Sequence, residues 1–189
     1  MVINLIILFL SLFQTNQEKY LGSIERLSSD INKLIDLDSK IEILAEGFDW
    51  SEGPVWSKKL NSILFSDVPN NVIYKWNEKE GLNVFSRPIG YSGKVPNLKK
   101  AGTNGLTIDS EGNLIICMHG DRMIAKMENL NTEKLSSIIM SYNNKLLNSP
   151  NDLVYDSYGN LFFTDPPYGL LEGDNDKLKE ISFNGVYKL

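Results

Sequence analysis

Histidine and cysteine are almost missing from this chain: one of each in 189 residues. A single Cys117 excludes an internal disulfide framework and any cysteine-cluster metal site, and the residue is expected to be a small buried apolar side chain. A basic excess is lacking too. Lys and Arg total 19 against 24 Asp and Glu, for a net charge of −5 with no basic block. That balance excludes a nucleic acid held through its phosphates and an anionic membrane surface as partner. Long apolar runs are also absent. The one at the start, MVINLIILFLSLFQTNQ, has an apolar core of about a dozen residues, too short to cross a bilayer and of the length of a signal-peptide core. No second run is long enough for a stable membrane span.

What is present is ordinary for a globular protein, 42% hydrophobic and 23% charged residues, so most of the length is expected to fold. Residues 1–17 read as a signal peptide, which makes the protein secreted or periplasmic, although no Lys or Arg precedes the apolar run and no small-x-small cleavage site follows it. Residues 18–40 read as an amphipathic helical segment, with Ile24, Leu27, Ile31, Leu34 and Ile35 on one face over 19–38 at a period of 3.6.

From residue 41 onward, short apolar runs alternate with Asn, Asp, Gly and Ser clusters, the pattern of many short strands. Strands are predicted at 41–45, 53–57, 62–67, 72–76, 82–87, 106–109, 114–118, 123–127, 134–140, 153–155, 161–164 and 185–189. They repeat. EGPVWSKKLNSILFSD, NGLTIDSEGNLIICMHGD and NDLVYDSYGNLFFTDPPYG share one plan of polar opening, apolar strand, turn and second strand. The openings at Glu52, Asn104 and Asn151 recur about every 50 residues, a propeller-blade period. The fold class is therefore all-β, with residues 41–189 forming about three blades of a partial β-propeller.

In a propeller the first strand of each blade lines the central channel, so Glu52, Asn104 and Asn151 should converge on one axis. Carboxylate and amide oxygens pointing inward suit a hard divalent cation, above all Ca2+. No His or Cys sits at the openings, so zinc is not expected. The competing explanation is that Asn and Asp at strand entrances simply cap turns, and residues alone leave the two readings balanced.

WSEGPVW at 50–56, NGLTID at 104–109 and NSPNDLVYDSYGNLFFTDPPYGL at 148–170 resemble the gluconolactonase family, which includes senescence marker protein (regucalcin) and the six-bladed lactonases and phosphotriesterases related to it. The resemblance implies a six-bladed propeller, a single catalytic divalent ion, usually Ca2+, and hydrolysis of a small-molecule sugar lactone by a protein that is a monomer when complete. It implies that Glu52 binds the metal, that Asn151 holds metal or substrate, and that Asn104 contacts substrate. His119 falls on a polar loop near the pocket and joins the substrate-facing set. Asp165 is expected to cap the turn at Pro166 and Pro167, and Asp152 to serve a turn. Family members carry two further elements, which supply a second asparagine ligand and the aspartate used as base or nucleophile. Neither element occurs in these 189 residues, so no catalytic residue is assigned and the chain reads as an incomplete portion. Alternatives are an esterase or phosphotriesterase with the same ligands, or a non-catalytic Ca2+-binding fragment.

Overall fold

The computed structural model describes residues 20–95, 99, 101–132 and 134–189. The expected signal segment lies outside the described residues. The chain divides into two compact units, Met1–Glu46 and Gly47–Leu189.

In the first unit the expected amphipathic helix does not form. A 3₁₀ helix spans only Ser29–Lys33, with the Ser28 hydroxyl accepting from the Asp30 amide. Burial is consistent with this: Leu27 and Leu34 are 87% and 83% exposed, so two of the five apolar-face residues would gain nothing from a helix, and an isolated short helix is marginal in water. Arg26 instead ties the segment into a loop, donating to the Asn32 side chain and to the Asp36 carbonyl. The expected strand at 41–45 is reduced to one bridge between Tyr20 and Glu42.

The second unit is all-β. Strands β1 (Ser51–Ser57), β2 (Ser62–Asp67), β3 (Val72–Asn77) and β4 (Gly81–Ser86) form one antiparallel sheet in sequential order. A second sheet repeats that order with β5 (Thr103–Ile108), β6 (Leu114–Met118), β7 (Met123–Asn129) and β8 (Lys134–Ile139). After a small hairpin of β9 (Ser141–Tyr142) and β10 (Lys145–Leu146), a third sheet holds β11 (Leu153–Tyr155), β12 (Leu161–Asp165) and β13 (Gly185–Lys188). The architecture is a partial propeller of two four-stranded blades and a three-stranded third.

The repeated turns have one physical cause. In DSEGN the Asp109 carboxylate accepts from the amides of Glu111 and Asn113 and from the Asn113 side chain. In DSYGN the Asp156 carboxylate accepts from Tyr158, Asn160 and the Asn160 side chain in the same way. Each closes a tight turn through a local side-chain-to-backbone bond.

Blade packing follows from strand parity. Strand β6, LIICM, is buried throughout, and successive side chains of a strand point to opposite faces. Leu114, Ile116 and Met118 enter one core cluster with Leu64 and Ile73 of the first blade. Ile115 and Cys117 enter a second cluster with Leu153, Leu161 and Phe163 of the third. The second blade is thus apolar on both faces because both are covered. Burial also pushes the Cys117 thiol well up, with the charges of Asp152 and Asp165 acting in the same direction. A thiol reagent is therefore expected to leave Cys117 unmodified in native protein and to titrate it fully in urea. Rapid labelling without denaturant would contradict this packing.

Candidate functional site

The three blade openings enter the hub through close backbone contacts. Strand β1 bulges between Glu52 and Val55, where Gly53 adopts φ +59°. A Cβ on Gly53 would lie 2.7 Å from both the Asn104 carbonyl oxygen and the Leu106 nitrogen. Strand β5 bulges in turn between Thr103 and Leu106, and a Cβ on Gly105 would meet the Asn151 carbonyl oxygen at 2.7 Å. Glycine after Glu52 and after Asn104 thus lets the next blade approach.

Bonds around the hub hold each opening. The Trp50 indole Nε1 donates to Glu52 Oε1 at 2.8 Å. Asp67, fully buried, accepts from the amides of Asp49 and Trp50 and so steers the chain into β1. The Asn151 amide donates to the Thr164 carbonyl at 2.9 Å, and its own carbonyl accepts from the Gly105 amide at 2.7 Å. His119 follows directly on β6 and is 2% exposed. Its Nδ1 lies 3.0 Å from the Pro150 carbonyl, which can only accept, so Nδ1 carries the proton. Burial holds His119 below the ordinary histidine range, against the pull of the Pro150 carbonyl and with the Lys99 charge acting alongside burial.

Glu52, Asn104, His119 and Asn151 all line one pocket of about 530 Å³, within the range of small-molecule sites. Residues 99 positions apart in sequence meet there because each sits at the same place in its blade. Beside the smaller Val68, Pro69 and Ala101, the pocket is also lined by Trp50, Lys99 and Tyr168. Sequence reading passed over these three. Trp50 directly precedes the SEGP motif and Tyr168 lies inside DPPYG, so both were legible as neighbours of motifs; Lys99 left no signal.

Asp152 and Asp165 are absent from the pocket lining. Asp152 is exposed, and its carboxylate accepts from the Leu153 amide. Asp165, fully buried, accepts from the amides of Asn148 and Ser149 at 2.8 Å each. Rather than capping its own Pro-Pro turn, it ties the end of β12 to the segment that delivers Asn151. Arg122 lies behind it, 1% exposed, donating through Nε to the Leu147 and Asn148 carbonyls. Burial raises the Asp165 carboxyl to about 6, against the two amide donors and the Arg122 charge.

Residues 50–189 match the SMP-30/gluconolactonase/LRE-like region. The chain belongs to that family. A gluconolactonase from Zymomonas mobilis is 37% identical over 171 residues, covering 89% of this chain and 48% of the relative. Among solved structures, a gluconolactonase from Xanthomonas campestris superposes with a TM-score of 0.67 at 28% identity, over 81% of this chain and 48% of that one. A luciferin-regenerating enzyme, at a TM-score of 0.53 and 16% identity over 79% of this chain and 47% of that one, shares the fold. The chain spans about half the length of these relatives. The partial propeller seen here is thus of the fold those gluconolactonases share.

Proposed function

We propose that this chain carries the cation-binding and substrate-facing part of a sugar-lactone hydrolase site. The observation that supports this reading is the convergence of Glu52, Asn104 and Asn151, one from each blade, on a single pocket. Among the described residues no three His, Cys, Asp or Glu side chains cluster as metal ligands. The donor set is instead one carboxylate and two amides, hard oxygen ligands that fit Ca2+ when water and substrate complete its shell. Glu52 and Asn151 would hold the cation, and Asn104 would face the substrate. When bound, such an ion supplies Lewis-acid polarisation of the lactone carbonyl.

The chain's own residues do the rest. Trp50 fixes one Glu52 oxygen and leaves the other for the pocket. Trp50 and Tyr168 offer amphipathic aromatic surfaces on which a sugar ring can pack. Lys99, whose Nζ bonds the Tyr168 carbonyl at 2.5 Å, places a positive charge at the rim, suited to the carboxylate that ring opening releases. His119 is neutral at pH 7 and committed through Nδ1 to Pro150, so it is a wall of the pocket with no assigned part in proton transfer.

The test is gluconolactone opening, followed by acid release, together with lactone binding to the 189-residue chain. Ca2+-dependent lactone binding is expected, lost in Glu52→Gln. Turnover is expected to be little or none, because among the described residues the one carboxylate lining the pocket, Glu52, is committed to the cation. Robust Ca2+-dependent turnover by the purified monomer would overturn that assignment. A stronger response to an aryl ester or a phosphotriester than to the lactone would move the substrate class instead.

A further inference from the structure

Two buried side chains outside the proposed ligand set make matching contacts between blades. Ser66, fully buried on β2, sits directly across from Glu52 in the β1–β2 pairing. Its Oγ lies 2.7 Å from the Asn104 carbonyl oxygen and 2.8 Å from Thr103 Oγ1. A carbonyl only accepts, so the Ser66 hydroxyl donates to Asn104 and receives the Thr103 hydroxyl proton. His119, at a different register position, also reaches the next blade, from the end of β6 to the Pro150 carbonyl at 3.0 Å. Counted from the cross-strand residues Leu64 and Ile116, which face Val55 and Leu106, His119 takes the place that Asp67 holds in the first blade. Asp67 bonds backbone of its own blade. His119 bonds the next.

We propose that Ser66 and His119 are positioning residues. Each holds a backbone carbonyl at or beside the channel asparagine of the following blade, so that Asn104 and Asn151 enter the pocket in one orientation beside Glu52. The reason to expect this is chemical. Amides are neutral ligands with two rotatable bonds, and without the charge of a carboxylate they contribute only when preset, which is the office of outer hydrogen bonds around a site. The Asn151 backbone is fixed on both sides, by Thr164 and Gly105, and the His119 bond fixes the peptide that precedes it. For Asn104, the Ser66 hydroxyl ties the carbonyl to the strand that carries Glu52. The proposal builds on the pocket reading above, in which both asparagines serve the site.

The experiment reads side-chain couplings across χ1 of Asn104 and Asn151 in isotope-labelled full chain without metal. Wild type is expected to show one rotamer at each. Ser66→Cys keeps the shape and weakens the donor, and should average Asn104 while leaving Asn151 unchanged. His119→Gln should average Asn151 and leave Asn104. His119→Asn should restore the wild-type coupling, because its amide nitrogen sits where Nδ1 does. Both His119 variants keep a polar side chain at the position, so a merely structural effect would appear equally in the two as a lowered melting point. Equal couplings in His119→Asn and His119→Gln, or unchanged couplings in all three variants, would overturn the proposal. Terbium(III) affinity should fall roughly tenfold or more in His119→Gln, which acts on the cation-holding Asn151. Absence of any terbium binding by wild type would count against the cation reading alone, since the couplings are read without metal.

Discussion

Asp165→Ala is expected to cost about 3 kcal/mol of stability at pH 7, on the scale of leaving buried amide donors unsatisfied. The carboxylate is fully buried and accepts from two backbone amides, while Arg122, itself buried, already carries one unpartnered guanidinium nitrogen. Removing Asp165 leaves two buried N–H groups without their acceptor and takes away a negative charge that acts on Arg122. Urea unfolding measures the loss, and a change under about 1 kcal/mol, the size of an ordinary surface effect, would contradict this account of the clamp. The pH dependence has a definite sign. Burial raises the carboxyl to about 6, above its ordinary value of 3.8, so the folded chain keeps a proton that the unfolded chain has lost between those values. This group's contribution is therefore full below about pH 4 and declines as pH rises to 6, by at most about 3 kcal/mol. The margin of wild type over Asp165→Asn should be larger at pH 4 than at pH 7.

Gly53→Ala should be comparably damaging for a different reason. Gly53 and Gly81 have nearly the same left-handed backbone, φ +59° and +65°, but a Cβ on Gly81 meets nothing within 4 Å whereas one on Gly53 meets the backbone of Asn104 and Leu106 at 2.7 Å. Gly81→Ala is expected to lose only the conformational term, about 1 kcal/mol. Gly53→Ala must also push β5 away from β1, and is expected to lose about 4 kcal/mol or more, a size reached by few single substitutions, and to displace Glu52 from Asn104. Equal urea midpoints for the two variants would show that the hub is not close-packed at this point.

These two residues illustrate how far the sequence was legible. The blade period, eleven of twelve predicted strands and the convergence of Glu52, Asn104 and Asn151 could be read because they repeat: a turn such as DSEGN closes through bonds within five residues. His119 came from the family resemblance. The clamps could not. Asp165 acts on Asn148, 17 residues earlier, and Ser66 acts on Asn104, 38 residues later, and no local pattern announces such partners. Lys99 reaches Tyr168 across 69 residues. Where local pattern misled, burial decided. The stripe of Leu27, Leu34 and their neighbours has helical spacing, but the leucines lie exposed, and periodicity without a surface to cover it does not hold a helix. The strand at 41–45 failed similarly, finding one bridging partner where a blade strand finds a ladder.

On the proposed reading Glu52 and Asn151 hold one cation in the pocket that Asn104 also lines, and Trp50 supplies the probe for it. Its indole bonds the Glu52 carboxylate at 2.8 Å, close enough to transfer excitation to a terbium ion held there. Titrating terbium(III) into the 189-residue chain with excitation of tryptophan should give saturable terbium emission that Ca2+ displaces. That emission should be lost in Trp50→Phe and Glu52→Gln and weakened in Asn151→Ala. Absence of sensitised emission, or emission that survives Glu52→Gln and Trp50→Phe unchanged, would place the cation elsewhere and contradict the account.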